Sequence, residues 1–251
     1  MKLFLLRRKL LTLTACLLCA AAMFYIVNHP AVGGAAATTR QLPIYCVQRD
    51  QKTVALSFDA AWGNEDTQQL IDILGAYNVK ATFFVVGDWV DKYPESVKAL
   101  HDAGHEVMGH SNHHDPFNAL TTDQIIADIN ACNDKIEAVT GVRPTLFRPP
   151  YGEYDDHVIK AVRSMGIEPI QWDVDSLDWK DLSAGEITKR VTSKVQAGSI
   201  CLFHNAAKHT PEALPGLIEK LIGEGYTLVP ISELILQGDY TIDHTGRQCP
   251  A

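Results

Sequence analysis

Residues 81–86 read ATFFVV. A run this apolar and β-rich is typical of a strand buried on both faces, as in a parallel sheet covered by helices on each side. Working outward from it, the same unit recurs. Upstream, residues 53–58 (TVALSF) are a β-rich run ending at Asp59, and residues 67–77 place Leu70, Ile71, Ile73 and Leu74 at helical spacing. Downstream, 94–103 read as a helix with proline in its first turn, 105–109 as a short strand, and 122–140 as a long helix capped by Thr121 or Thr122 and stopped at Gly141. The pattern continues with strand 146–148, helix 155–165, strand 167–174, helix 186–196, strand 199–203, helix 211–223 and a last strand at 226–230. Seven β/α alternations with short loops predict an α/β fold, a distorted (β/α)-barrel with about seven parallel strands.

Residues 109–115 read GHSNHHD, with His110 and His114 four apart. On one helical turn that spacing puts both imidazoles on one face, where they can grip one metal ion. Taken alone the motif is weak, and a solvated histidine-rich turn explains it equally well. Its position is more informative. Asp59, His110, Arg148, Asp175 and His204 each follow the C-terminal end of a different predicted strand. In a β/α barrel those ends converge on the face that carries the active site.

Residues 1–40 hold five Lys or Arg and no Asp or Glu, so all 30 acidic residues fall in the remainder, against 17 basic ones. A body that acidic is a poor partner for nucleic acid. Residues 1–9 form a basic segment, and 10–27 an uncharged run of about 18 residues, roughly the thickness of a bilayer as a helix. Positive charge ahead of that run predicts a signal-anchor that holds the chain in the cell membrane with its body outside the cytoplasm. Cleavage near 35–37, giving a secreted protein, is the alternative. Residues 28–51 read as a spacer or leading strand, 52–238 as the catalytic domain and 239–251 as a C-terminal tail. Cys46 and Cys249 flank the body and are either a disulfide pair or free thiols; outside the apolar N-terminal run, which holds Cys16 and Cys19, no C-x-x-C occurs.

Together these residues resemble the polysaccharide deacetylases of the NodB-homology type, carbohydrate esterase family 4. The likeness spans about residues 54–231 and rests on five motifs in order: Ser57-Phe58-Asp59, the His110/His114 pair, Arg148-Pro149-Pro150-Tyr151-Gly152, Asp175-Ser176-Leu177-Asp178-Trp179 and Leu202-Phe203-His204. The details around Trp62 and Lys180 are most similar to sporulation and cell-wall members of spore-forming bacteria. The resemblance implies a hydrolase that removes N-acetyl groups from an amino-sugar glycan, peptidoglycan first, using one divalent metal, zinc first with cobalt or nickel as alternatives. It implies His110 and His114 as metal ligands, Asp59 as general base and Arg148 as the group keeping that base ionised. His204 would be the general acid with Asp178 behind it, and the Tyr151 backbone N–H an oxyanion donor. Trp179 and Leu202 would wall the acetyl pocket, with Trp62 and Asp175 at the substrate rim.

One position departs from the family. Its first motif usually carries two consecutive Asp, base then third metal ligand, and here the second is Ala60. A catalytic zinc normally has three protein ligands. Either Asp59 itself touches the metal, the reading preferred here, or Glu65 or Asp66 swings in, or metal binding and turnover are weak. The competing functions are therefore a silent glycan-binding or scaffold homologue and an O-acetyl esterase using the same site.

Overall fold

The computed structural model describes the backbone of residues 2–28 and 40–251, and side chains at 7–8, 11–25 and 40–251. It holds two compact units, Met1–Arg40 and Gln41–Ala251. In the first, Lys2–Asn28 form one helix, α1. Side chains in this helix are described only at 7–8 and 11–25, so the run 10–27 is not covered in full, and among the described residues no helix is long and apolar enough to cross a membrane. The expected cleavage region at 35–37 lies outside the described residues.

The second unit runs β1 (Cys46–Val47), β2 (Thr53–Ala60), α2 (Thr67–Ala76), β3 (Thr82–Val85), α3 (Gly87–Lys92), α4 (Pro94–Asp102), β4 (Glu106–Gly109) and α5 (Thr122–Thr140). It continues with β5 (Leu146–Phe147), α6 (Asp156–Ser164), β6 (Glu168–Pro169), β7 (Val174–Asp175), α7 (Ala184–Thr192) and β8 (Ile200–His204). The chain ends with α8 (Thr210–Gly223), β9 (Thr227–Leu228), α9 (Ile231–Leu234), β10 (Tyr240–Ile242) and β11 (Arg247–Pro250). Seven parallel strands in the order β6-β5-β4-β3-β2-β8-β7 curl into a half-barrel, and β9 pairs with the start of β2.

The two-residue period of β2 sorts the core. Val54, Leu56, Phe58 and Ala60 join the large apolar cluster that also holds Phe83, Val85 and residues of α2, α7 and α8. Ala55 joins a second cluster with Phe84, Met108, Leu146 and Ile200. Ser57 and Asp59 continue that second row toward the strand end. The apolar run at 81–86 reflects the same split, with Phe83 and Val85 in the first cluster and Phe84 in the second. Local signals set the helix ends. Thr121 and Gln124 form a reciprocal capping box on α5, and Gly141 closes it at φ 75°.

The structure corrects one predicted strand. Residues 167–174 are two strands at opposite edges of the sheet, β6 beside β5 and β7 beside β8. Pro169 cannot donate to a ladder. The following N–H groups change partner step by step: Ile170 donates to Phe147 O, Gln171 to Ile44 O and Asp173 to Ile200 O. This one crossing segment, with Ile44 against it, spans the gap between the sheet edges. The leading segment stays in place because Gly198 (φ 85°) has no Cβ, which would sit 1.7 Å from the Val47 carbonyl oxygen.

Residues called spacer and tail pair with each other. Strands β1, β11 and β10 form a small separate sheet. Cys46 stands opposite Arg247, two residues from Cys249, and both thiols are free. That diagonal offset, about 8 Å by strand geometry, exceeds a disulfide's reach of about 7 Å between Cα atoms.

Candidate active site

The candidate side chains gather at the strand ends. Asp59 lies near the end of β2, opposite His204 of β8. Arg148, fully buried, follows β5 and donates from Nη1 to Asp59 Oδ1 at 2.7 Å and from Nη2 to Ser57 Oγ and the Gln171 carbonyl. Its guanidinium also packs over the Phe84 ring, 4.2 Å from the centroid. Burial by itself would raise the Asp59 carboxyl. The Arg148 charge, aided by His110 and His204, overrides it and holds the group below the usual carboxylate range. Asp59 is a carboxylate kept ionised out of water.

His110 and His114 do come together, their ring centroids 5.0 Å apart and nearly perpendicular, but not on a helical turn. Residues 110–114 form a tight loop in which Ser111 and His114 adopt positive φ (71° and 61°) and Ser111 Oγ accepts the His114 N–H. His113 turns away to Asp88 at the surface. Burial depresses both ligand candidates, His110 below its ordinary value and His114 to about 4, so both rings are neutral. His110 Nδ1 lies 2.7 Å from the Arg148 carbonyl, to which it can only donate. Nε2 therefore presents a lone pair to Asp59 Oδ2, 3.5 Å away.

Two electron-pair donors facing each other with no proton between them fit a cation, and two neutral imidazoles beside a carboxylate are donors a divalent transition metal accepts. The fit stops short of a full cage. Among the described residues no group of three His, Cys, Asp or Glu side chains is arranged to hold a metal ion. Ala60 sits in the apolar cluster and offers no donor. Asp66 does not swing in: it is buried, with Oδ2 accepting the Ala206 N–H.

Across the mouth, Asp178 holds His204. Its Oδ1 accepts from His204 Nδ1 (2.8 Å) and the Trp179 N–H; its Oδ2 accepts from the His204 N–H and Thr210 Oγ1. Burial would lower the His204 pKa, but the hydrogen bond and charge of Asp178 outweigh it and raise it. The ring favours its imidazolium form, with Nε2 left for chemistry.

A cavity of about 500 Å³ joins these groups, lined also by Trp62, Tyr151, Trp172, Asp175, Trp179 and Leu202. Trp62, Tyr151 and Trp179 are more than half exposed at its rim. The Tyr151 ring stands edge-on to His114, 4.4 Å between centroids. Asp175 Oδ1 accepts the Leu177 N–H and so braces the loop that carries Asp178. Positive-φ residues other than glycine cluster here: Ser111, His114, Tyr151, Leu177 and Ala206. Such strain concentrates at functional sites, held by the surrounding structure.

A family model described as Polysaccharide deacetylase matches residues 47–170. The peptidoglycan-N-acetylmuramic acid deacetylase PdaA of Bacillus subtilis is 31% identical over 197 residues, covering 77% of this chain and 75% of PdaA. The chain belongs to the polysaccharide deacetylase family. A second deacetylase of that family and species, the peptidoglycan-N-acetylmuramic acid deacetylase PdaC, is 37% identical over 188 residues, 75% of this chain and 40% of PdaC. The chain thus spans well under two thirds of that relative's length. Among solved structures, BA3943 from Bacillus anthracis, described as a carbohydrate esterase family 4 pseudoenzyme, superimposes with a TM-score of 0.74 at 37% identity, covering 76% of this chain and 68% of BA3943. A mutant of it is described as having restored enzymatic activity. Members of the polysaccharide deacetylase family are metal-dependent.

Sequence reasoning missed the supports: Ser57 and Gln171 under Arg148, Thr210 under Asp178, and Trp172 in the wall. For Thr210 the only signal was its place at the start of a predicted helix, where a hydroxyl has backbone partners to choose from.

Proposed function

We propose that this protein is a metal-dependent hydrolase that removes N-acetyl groups from an extracellular amino-sugar polysaccharide, with peptidoglycan as the substrate. The observation that carries the reading is the placing of two charged pairs across one cavity, Arg148 on Asp59 and Asp178 on His204. Asp59 is held as carboxylate by Arg148, and His204 is favoured as imidazolium by Asp178.

His110 and His114 would hold the divalent metal, zinc first, which when bound would make a water acidic enough to serve amide hydrolysis at neutral pH. Asp59 takes the proton of the attacking water. The backbone N–H of Tyr151, on the strained turn after Pro150, serves the oxyanion. His204 gives its Nε2 proton to the departing amine, while Asp178 fixes the ring and balances its charge. Leu202 and Trp179 wall the acetyl pocket, and Trp62 offers the sugar a flat apolar face. The basic segment 1–9 and the apolar run 10–27 support a membrane tether with the body outside the cytoplasm.

A second reading, a weak or silent homologue on the same fold, is favoured by one observation: Ala60 leaves the cation site short of a third donor. Acetate release from peptidoglycan strands with zinc, cobalt or nickel separates the two. The hydrolase reading expects release that His204→Ala abolishes; glycan binding with no release supports the second.

A further inference from the structure

We infer that Asn205 is a positioning residue that locks Trp62 flat against His204 and thereby holds the general acid in its working orientation. The inference rests on the hydrolase reading for its catalytic consequence, but not for its geometry.

Asn205 follows the histidine at the end of β8 and is buried. Its side chain makes three bonds to one loop: Oδ1 accepts the Ala61 N–H at 3.3 Å, and Nδ2 donates to the carbonyls of Trp62 (2.6 Å) and Gly63 (2.7 Å). Only this orientation of the amide works, because a flipped one would face oxygen to two carbonyls. Its own backbone N–H donates to the Asp59 carbonyl at 3.1 Å. One residue therefore ties the strand bearing the base, through its backbone, to the loop bearing Trp62, through its side chain. Two further bonds close the clamp, Trp89 Nε1 to the Gly63 carbonyl and Ala206 N–H to Asp66 Oδ2.

The clamped loop delivers the indole. Trp62 lies nearly parallel to the His204 imidazole, 15° between planes and 6.2 Å between centroids, in the range of offset aromatic pairs. Asp178 fixes His204 through Nδ1 at the ring edge. An edge contact alone leaves the ring free to rock about that bond, and a plane laid against its face removes the motion. Trp62 is itself half exposed, so packing on its outer side does not hold it; the backbone bonds from Asn205 do. Small misplacements of reacting groups cost large factors in rate.

The test uses the full chain labelled with 5-fluorotryptophan and two variants. Asn205→Ala removes every side-chain bond. Asn205→Asp keeps the shape and the acceptor for Ala61 but replaces the Nδ2 amino group, the donor of both carbonyl bonds, with an oxygen, and guards against a fold failure in the first. In ¹⁹F NMR the Trp62 resonance, assigned by its loss in Trp62→Phe, should move toward its unfolded position in both variants while those of Trp172 and Trp179 stay. In a double-mutant cycle on acetate release, Asn205→Asp should lower kcat about tenfold or more with KM within about threefold, Trp62→Ala should lower kcat at least as much and raise KM as well because it also removes the face offered to the sugar, and the double variant should lose no more kcat than Trp62→Ala alone. An unmoved Trp62 resonance in both variants, or losses that multiply, overturns the inference. If the wild-type chain releases no acetate, the hydrolase reading fails and the NMR arm still decides the role of Asn205.

Discussion

His110 Nε2 and Asp59 Oδ2 face each other across 3.5 Å, each with an electron pair and neither with a proton to share. This relationship accounts for how a site missing a usual ligand still presents a place for a cation. It also assigns Asp59 two partners on its two oxygens, Arg148 on Oδ1 and the imidazole side on Oδ2.

Ala60→Asp follows from it. The alanine sits among apolar neighbours that include Val85, so an uncompensated carboxylate there should destabilise the metal-free protein by about 1–3 kcal/mol. With zinc present the loss should be recovered, and zinc affinity should rise by about tenfold or more, about 1.4 kcal/mol. Thermal unfolding with and without zinc, together with calorimetric titration, checks both.

Arg148→Leu should cost more than any rim substitution. It strands the Asp59 charge in a buried site, a loss of about 3–5 kcal/mol. Asp59→Asn in the same chain removes that charge and should recover part of the loss. Urea denaturation of the single and double variants gives the numbers.

Acid should unfold the protein partly through His105. Burial, with Lys80 nearby, depresses that ring to about 4, so it is neutral in the fold and gains a proton on unfolding below pH 6.5. Its contribution is complete above 6.5 and is lost as pH falls toward 4, roughly 3 kcal/mol across that window. In His105→Gln the overall stability drops, but its decline between pH 6.5 and 4 should be shallower than in the wild type.

Much of the architecture was legible because two periods, 2 and 3.6, recur along the chain, and because polar residues fall where apolar runs stop. The helix at 122–140 was read to the residue because its capping box and its terminal glycine are local signals. The split of 167–174 was not legible. Which edge each half joins is decided by Phe147, Ile44 and Ile200, all distant in sequence. The short helix α3 and the strands β10 and β11 were missed because each is too brief to show a period. At the site, Asp59, His204 and the paired imidazoles of His110 and His114 stood out by type and position. Their supports did not, since Ser57, Gln171, Asn205 and Thr210 are ordinary polar residues until the fold brings them under a charged group. The loop at 110–114 misled in shape only: two left-handed residues, rather than a helical turn, bring the imidazoles together.

The most direct measurement is acetate release from peptidoglycan by the wild-type chain supplied with zinc, cobalt or nickel. Release with at least one of these metals, lost on chelation and lost in His204→Ala, is the expected result. No release with any of them, from a folded chain that still binds the glycan, would contradict the account.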